Sequence, residues 1–515
     1  MKQKLFGWIV CILLIGNAVP LVESSKNILI DQIIHSNPEK SMVDDWSEIQ
    51  KLHASDGGYA ELFSSSLSLD GNTALIGAIG DDGNGLYSGA VYVFTRIETT
   101  WIEQAKLIAF DGVSGDYFGW SVALDGDTAL VGACHDDNWT GSVYVFTRTD
   151  ETWNQQAKLQ AVDSSGDCFG WSVALDGSTA VIGAYRDYNE NVSGSGSVYV
   201  FVRIGNTWIQ QTKLLASDGA GCFGWSVALE GNTALIGARY GGYGTGSAYV
   251  FIRSGINWTE QATLLASDGV IYDNFGISVA IDGETALIGA PGDSSPVDIP
   301  GKAYVFTRNG TIWKQEAELL ASDGTERDFF GCSVSISDGT ALIGAYKDDD
   351  NGFDSGSAYV FACINTSWTQ FEKLLASDGV GGDYFGYKVS LNHNTALIGA
   401  FEDDDYATAS GSAYVFSKTD LTISITGGLE VKVSITNNIP WNVTNVTWQI
   451  HVEGGLLGLI NKTVNGNIDI NAGESKNVGT GSLFGLGPIR ITVTVTNGEE
   501  TAKGIQFFIF SIIKD

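Results

Sequence analysis

One six-residue phrase, Thr-Ala-Leu-Ile-Gly-Ala, recurs with small changes at Thr73, Thr128, Thr179, Thr233, Thr285, Thr340 and Thr395, and this constrains the fold more than any other feature. A second phrase, Tyr-Val-Phe, begins at Tyr92, Tyr144, Tyr199, Tyr249, Tyr304, Tyr359 and Tyr414. A third places Trp46, Trp101, Trp153, Trp208, Trp258, Trp313 and Trp368 shortly before a leucine and then, in most copies, Ala-Ser-Asp-Gly. Within one unit, Trp313 to Thr366, four short runs (313–320, 330–336, 340–345 and 357–361) are alternating or apolar and are bounded by Gly, Asp, Asn or Ser. Each unit therefore predicts a four-stranded antiparallel meander. One meander cannot bury both its faces, whereas seven set radially bury each face against a neighbour, which is a seven-bladed β-propeller. An open solenoid would want capping units at both ends, and the sequence displays none.

The order of the phrases predicts how the ring closes. The chain enters the repeats on the Trp46 strand and leaves the seventh unit at Phe416 with no such strand following. The strand 46–54 is expected to complete the last blade, giving an all-β propeller over 46–418.

Phe118-Gly119, Phe169-Gly170, Phe223-Gly224, Phe275-Gly276, Phe330-Gly331 and Phe385-Gly386 are each followed by a Gly-Ala pair. With these phrases the chain resembles the FG-GAP repeats of the integrin α-subunit propeller and of related bacterial and archaeal surface proteins. Unit one departs from the pattern, with Phe63-Ser64. The resemblance implies the fold and, for function, extracellular binding or adhesion. It also implies calcium loops between the first and second strands of a blade, but here that connection is a tight hairpin, as in Leu124 to Thr128 or Ile281 to Thr285. Five residues cannot supply the oxygens a calcium ion takes, so those sites are not carried over.

The two ends differ from the repeats. Residues 1–25 read as a secretion signal, with Lys2 and Lys4 ahead of an apolar run from Leu5 to Val19, the alternative being an uncleaved N-terminal anchor, followed by a linker over 26–45. Residues 421–515 hold alternating Ile/Val/Thr runs separated by Asn and Gly, which predicts an immunoglobulin-like β-sandwich used as a stalk or docking module. Candidate glycosylation sequons at Asn138, Asn191, Asn257, Asn309, Asn365, Asn442, Asn445 and Asn461 agree with export to the cell surface or beyond. Cys134, Cys168, Cys222, Cys332 and Cys363 are odd in number and widely spaced, unlike a disulfide framework or a zinc site.

With 28 basic and 60 acidic residues the net charge is −32, which repels phosphate backbones and disfavours nucleic acid as a partner. No segment of the mature chain is suited to membrane insertion. Acidic residues gather after the second strand (Asp81, Asp82, Asp136, Asp137, Asp348 to Asp350, Asp403 to Asp405) and before the first (Asp116, Asp167, Asp273, Asp328, Asp383). Successive connections of a meander alternate ends, so both sets emerge on one face. They read as a solvated acidic surface, and the candidate metal ligands among them are Asp348, Asp350 and Asp354, with calcium the cofactor they would suit. Trp120, Trp171 and Trp225 follow Phe-Gly in three consecutive blades, and either stack on a sugar near the axis or, by their shared parity with Val122, Val173 and Val227, pack between blades. No nucleophile elbow, HExxH, phosphate loop or dinucleotide fingerprint is present, and the expectation is a non-enzyme. The function expected is an extracellular or surface binding module whose loop face contacts a protein or polysaccharide. The alternatives are a self-associating envelope or matrix component and a propeller hydrolase or lyase acting on polysaccharide.

Overall fold

The computed structural model describes residues 41–511 apart from 98, 164–165, 189–193, 293–300, 365, 427–429, 438–442, 455–459, 472–473, 483–486 and 497–506. The signal expected at 1–25 and most of the linker expected at 26–45 therefore lie outside the described residues. The chain divides into a repeat unit, Asp44–Thr419, and a C-terminal unit beginning at Asp420.

Seven four-stranded blades make up the repeat unit, six of them separate antiparallel sheets and the seventh part of a larger sheet. In blade two the strands Ser121–Asp125, Thr128–Ala133, Ser142–Thr149 and Thr152–Leu159 pair in chain order. Asp125 pairs with Thr128 around a two-residue turn whose Gly126 has φ 54°, the left-handed geometry that such hairpins require. A bulge between Val145 and Phe146 shifts the register of the outermost pair, and blades one to six all repeat it, adding twist at the rim.

The sequence unit and the blade are out of phase by one strand. The tryptophan strand Ile312–Leu319, read as the first strand of its unit, pairs with Lys302–Asn309 of the preceding blade. Turn length is the reason: Asn309 pairs with Ile312 around two residues, whereas the next connection must cross to the neighbouring sheet. Blade seven is thus left with three strands, and the N-terminal strand Ser41–Leu52 supplies the fourth by pairing with Ser412–Thr426. The predicted closure is observed, with the strand starting five residues earlier than expected.

Alternation explains the core. In Thr73–Ala78, Ala74, Ile76 and Ala78 pack with Leu397 and Val415 of blade seven, while Leu75 packs with Val122, Ala129 and Val131 of blade two. Among the described residues each of the seven apolar clusters of the repeat unit is shared by two blades, so each sheet buries its faces against its neighbours. Each large side chain so buried stabilises by roughly 1.5–3 kcal/mol. The Phe-Gly phenylalanine locks each blade: Phe118 meets the rings of Tyr144 and Phe146 edge-on at 5.4 and 5.9 Å. The two signature glycines meet across the interface, since a Cβ on Gly132 would lie 2.2 Å from the Gly170 carbonyl oxygen.

Hydrogen bonds stitch the ring near its axis and at its turns. Ser66, Ser121, Ser172 and Ser226 donate to the Phe-Gly glycine carbonyls of the following blade at 2.7–2.9 Å. The acid of each Asp-Gly hairpin accepts the turn N–H of the next, as in Gly126 to Asp70 and Gly283 to Glu230. The Asp-Gly pair is therefore both a turn former and a brace between blades.

The C-terminal unit is also all-β. Glu430–Asn437 pairs with Ser475–Ser482 and with residues Leu421 to Thr426, and a second sheet orders Ile460–Ile470, Val443–Gly454, Gly487–Thr496 and Phe507–Ser511. These are two small antiparallel sheets; the structure does not establish an immunoglobulin-like arrangement for them. Among the described residues no helix is long and apolar enough to cross a membrane.

Candidate functional site

The loop acids do a different job from the one their sequence suggests. Asp81, Asp136, Asp187, Asp348 and Asp403 are buried, and each accepts a hydrogen bond from the Tyr-Val-Phe tyrosine of its own blade at 2.7–3.1 Å. The same hydroxyl reaches the aspartate of the Ala-Ser-Asp-Gly position (Asp56, Asp111, Asp163, Asp323, Asp378), and a lysine on the outermost strand bridges both carboxylates. Burial and the adjacent carboxylates push these phenols far above their ordinary range, while the lysine and tyrosine contacts hold the outer aspartates below theirs despite desolvation.

The second acidic set is braced as well. Asp116, Asp273, Asp328 and Asp383 are buried and accept the backbone N–H three residues earlier at 2.6–2.7 Å. Burial pushes the Asp383 carboxyl up to about 6. The expected solvated acidic face is thus largely internal, because loops on a narrow disc must satisfy their own backbone. Exposed acids remain at Asp82, Asp137, Asp349, Asp350, Asp404 and Asp405.

The three candidate metal ligands do not converge. Lys373 Nζ lies 3.0 Å from Asp348 and 2.6 Å from Asp350, so an ammonium fills the space between those two. Asp354 instead faces Lys347 at 3.6 Å. Among the described residues no group of three or more His, Cys, Asp or Glu side chains is arranged to hold a metal ion.

Aromatic residues converge where the acids do not. The position after each Phe-Gly pair holds Ser65, Trp120, Trp171, Trp225, Ile277, Cys332 and Tyr387, and all seven line a central cavity of about 510 Å³. The three tryptophans are only half-buried and sit ring to ring, 4.7 Å from Trp120 to Trp171 and 4.9 Å from Trp171 to Trp225. The expected packing between blades is present, since each ring meets its counterpart in the adjacent blade, and the same rings border the cavity as the sugar-stacking alternative requires. Tyr185 packs against Trp171 and Trp225, and His135 against Trp120, Tyr117 and Trp139. Across the cavity Phe329, Tyr346, Tyr384, Tyr387 and Phe401 form a second cluster.

Backbone strain marks the same rim. The residue before the first-strand phenylalanine is Leu62, Tyr117, Cys168, Cys222, Asn274, Phe329 or Tyr384, and all seven have φ between 54° and 59°. Glycine would adopt this conformation freely, whereas a residue with a Cβ is strained by roughly 1–2 kcal/mol. Of these, Leu62, Asn274 and Phe329 line the cavity, and Tyr117 and Tyr384 join the aromatic clusters beside it. Sequence reasoning missed this ring, although one signal was available: these positions vary between repeats whose structural positions hardly change.

The electrostatics of the mouth oppose those of the whole chain. Arg239 lies over Trp225 and Tyr240 at 4.9 and 5.0 Å, and Arg186 over Trp139 and Tyr185 at 4.8 and 5.6 Å. Lys388 lines the cavity with its ammonium 5.2 Å from the Tyr387 ring, and desolvation lowers its pKa. Burial, with Arg186 nearby, lowers His135 to about 4, so it is neutral at neutral pH.

Of the candidate sequons, Asn138, Asn257, Asn309 and Asn461 are exposed. Asn445 lies on the strand Val443–Gly454, and Asn191, Asn365 and Asn442 lie outside the described residues. The five described cysteines are unpaired, as their spacing predicts.

The family model for the FG-GAP repeat matches seven segments, 46–94, 101–146, 153–201, 208–251, 258–306, 313–361 and 368–416. Among solved structures, the β-propeller domain of the Trilobed protease from Pyrococcus furiosus is similar at 11% identity and a TM-score of 0.38, covering 71% of this chain and 95% of that one. Pyrococcus horikoshii acylaminoacyl peptidase is similar at 10% identity and a TM-score of 0.39, covering 75% of this chain and 60% of that one. A search of curated proteins found no match.

Proposed function

The chain belongs to the FG-GAP repeat family, and from that premise we propose that it is an exported binding module whose cavity mouth grips polysaccharide. One observation carries the reading: the positions that vary within a strict seven-fold repeat gather at one mouth, where half-buried tryptophans face a cavity. Sugar rings present flat C–H faces that stack on indole, and hydroxyls that hydrogen-bond at its edges, so an aromatic rim suits them. The cavity falls within the roughly 300–1,000 Å³ common for ligand pockets. A secreted or surface location agrees with the N-terminal sequence and the exposed sequons. The C-terminal sheets, read as an immunoglobulin-like sandwich, would link the propeller to a larger assembly.

Affinity electrophoresis of the purified chain in gels containing soluble polysaccharides tests this reading. At least one polysaccharide is expected to retard the native chain, and Trp171→Ala to weaken that binding about tenfold or more, as loss of a central tryptophan anchor does. Free migration in every gel, or retardation that Trp171→Ala leaves unchanged, would overturn the proposal.

A further inference from the structure

Most cations of this chain are held by acids or, like Arg203 and Arg253, by a threonine of the preceding blade. Lys51, Lys106, Lys158, Lys213 and Lys373 each meet two or three carboxylates within 4 Å. Acids outnumber bases 60 to 28, so a basic side chain with neither a carboxylate partner nor a threonine brace to the preceding blade needs a reason. Lys388, Arg186 and Arg239 are such side chains. Among the described residues none has a carboxylate within salt-bridge distance, and all three stand at the central cavity or its mouth.

Lys388 is the most informative, because the repeat shows what it replaces. Its counterparts in the other six blades are all serines: Ser66, Ser121, Ser172, Ser226, Ser278 and Ser333. All six of those serines bond to the following blade, four as donors and Ser278 and Ser333 as acceptors, so a serine here would serve the fold. Blade seven instead holds an ammonium half-buried against the Tyr387 ring, with no hydrogen-bond or ion-pair partner among the described residues. A desolvated cation without a counter-ion is costly to a fold and persists where something else uses it.

Resting on the polysaccharide reading above, we propose that the ligand is an anionic polysaccharide, with one acidic group drawn into the cavity to Lys388 while its sugar ring lies on the tryptophans. Arg239 then guards the mouth beside Trp225, its guanidinium steadied by a 2.9 Å bond to the Asn274 side chain. The rest of the molecule argues that such binding is local. A net charge of −32 repels a polyanion at long range, so affinity for one must come from this site and not from a general basic surface. The acidic group is a carboxylate or a sulfate ester, which share this chemistry.

The test titrates the full chain, in a calorimeter at fixed salt, with an oligogalacturonate, its neutral methyl ester, a sulfated dextran and unmodified dextran. The oligogalacturonate or the sulfated dextran is expected to bind at least tenfold tighter than its neutral counterpart, and which of them does so identifies the acidic group. Lys388→Met is expected to abolish that preference while leaving the thermal midpoint unchanged or higher, since an unpaired buried charge is removed. Lys388→Arg should retain the preference. If Lys388→Met proves poorly folded, Arg239→Gln, half-buried at the cavity mouth, must reduce the preference instead. Equal binding of charged and neutral forms would overturn the proposal and leave the polysaccharide reading standing. Absence of binding to all four ligands would overturn the proposal and count against the polysaccharide reading as well.

Discussion

Two carboxylates that share a lysine ammonium and a tyrosine hydroxyl are the charged unit of this protein, repeated in five blades. Around Lys373 the ion pairs draw in buried Asp348 as well as Asp323 and Asp350, so removing the cation leaves acids facing one another out of water. Lys373→Met is therefore expected to destabilise the chain by about 3 kcal/mol, a typical loss when one partner of a buried pair is removed. The thermal midpoint of the native chain is expected to be the same in excess calcium and in chelator, because the ammonium already fills that space. A midpoint raised by calcium would show instead that Asp348 and Asp350 bind metal in preference to Lys373. The clustering of these acids on one face was legible in the sequence, but their burial was not. Each tyrosine sits 36 residues from its Ala-Ser-Asp-Gly partner in most blades, so nothing local marks the pair. The repeat does hold the clue: blade four has Thr263 for the lysine and Gly241 for the inner aspartate, and Tyr249 there bonds Asp218 alone.

At the scale of the blade, the four strands, the tight Asp-Gly hairpins and the closing strand could all be read from period and turn chemistry. The phase of the blade follows from that closing strand, and its physical cause is which of two connections is short enough to keep its strands in one sheet. The glycines of the signature also divide by environment. Gly132 packs against the Gly170 carbonyl, and that backbone oxygen cannot give way without moving a blade. Gly126 sits at a turn with open space around it and φ 54°. Gly132→Ala is expected to cost about 3 kcal/mol or more through overpacking, and Gly126→Ala only about 1 kcal/mol through backbone strain. Urea unfolding followed by circular dichroism separates the two; equal losses would mean that the close approach between blades is not what fixes Gly132.

Across the whole molecule, seven nearly identical blades set a scaffold and a few unlike residues set the site. The fold is redundant, written seven times, and so was legible. The mouth is written in the departures from the repeat, and their convergence appears only when the blades are arranged around an axis. Trp120, Trp171 and Trp225 show the limit well, because strand parity places them between blades on the same side as Val122 but does not reveal that the rings also border a cavity. A saccharide bound at this mouth must change the surroundings of those three indoles. The most direct measurement is tryptophan emission of the full chain during titration with a polysaccharide that retards it in the gel. The account predicts a saturable shift in emission that disappears when Trp120, Trp171 and Trp225 are replaced together by phenylalanine; binding with emission unchanged, or a shift that survives the replacement, would contradict it.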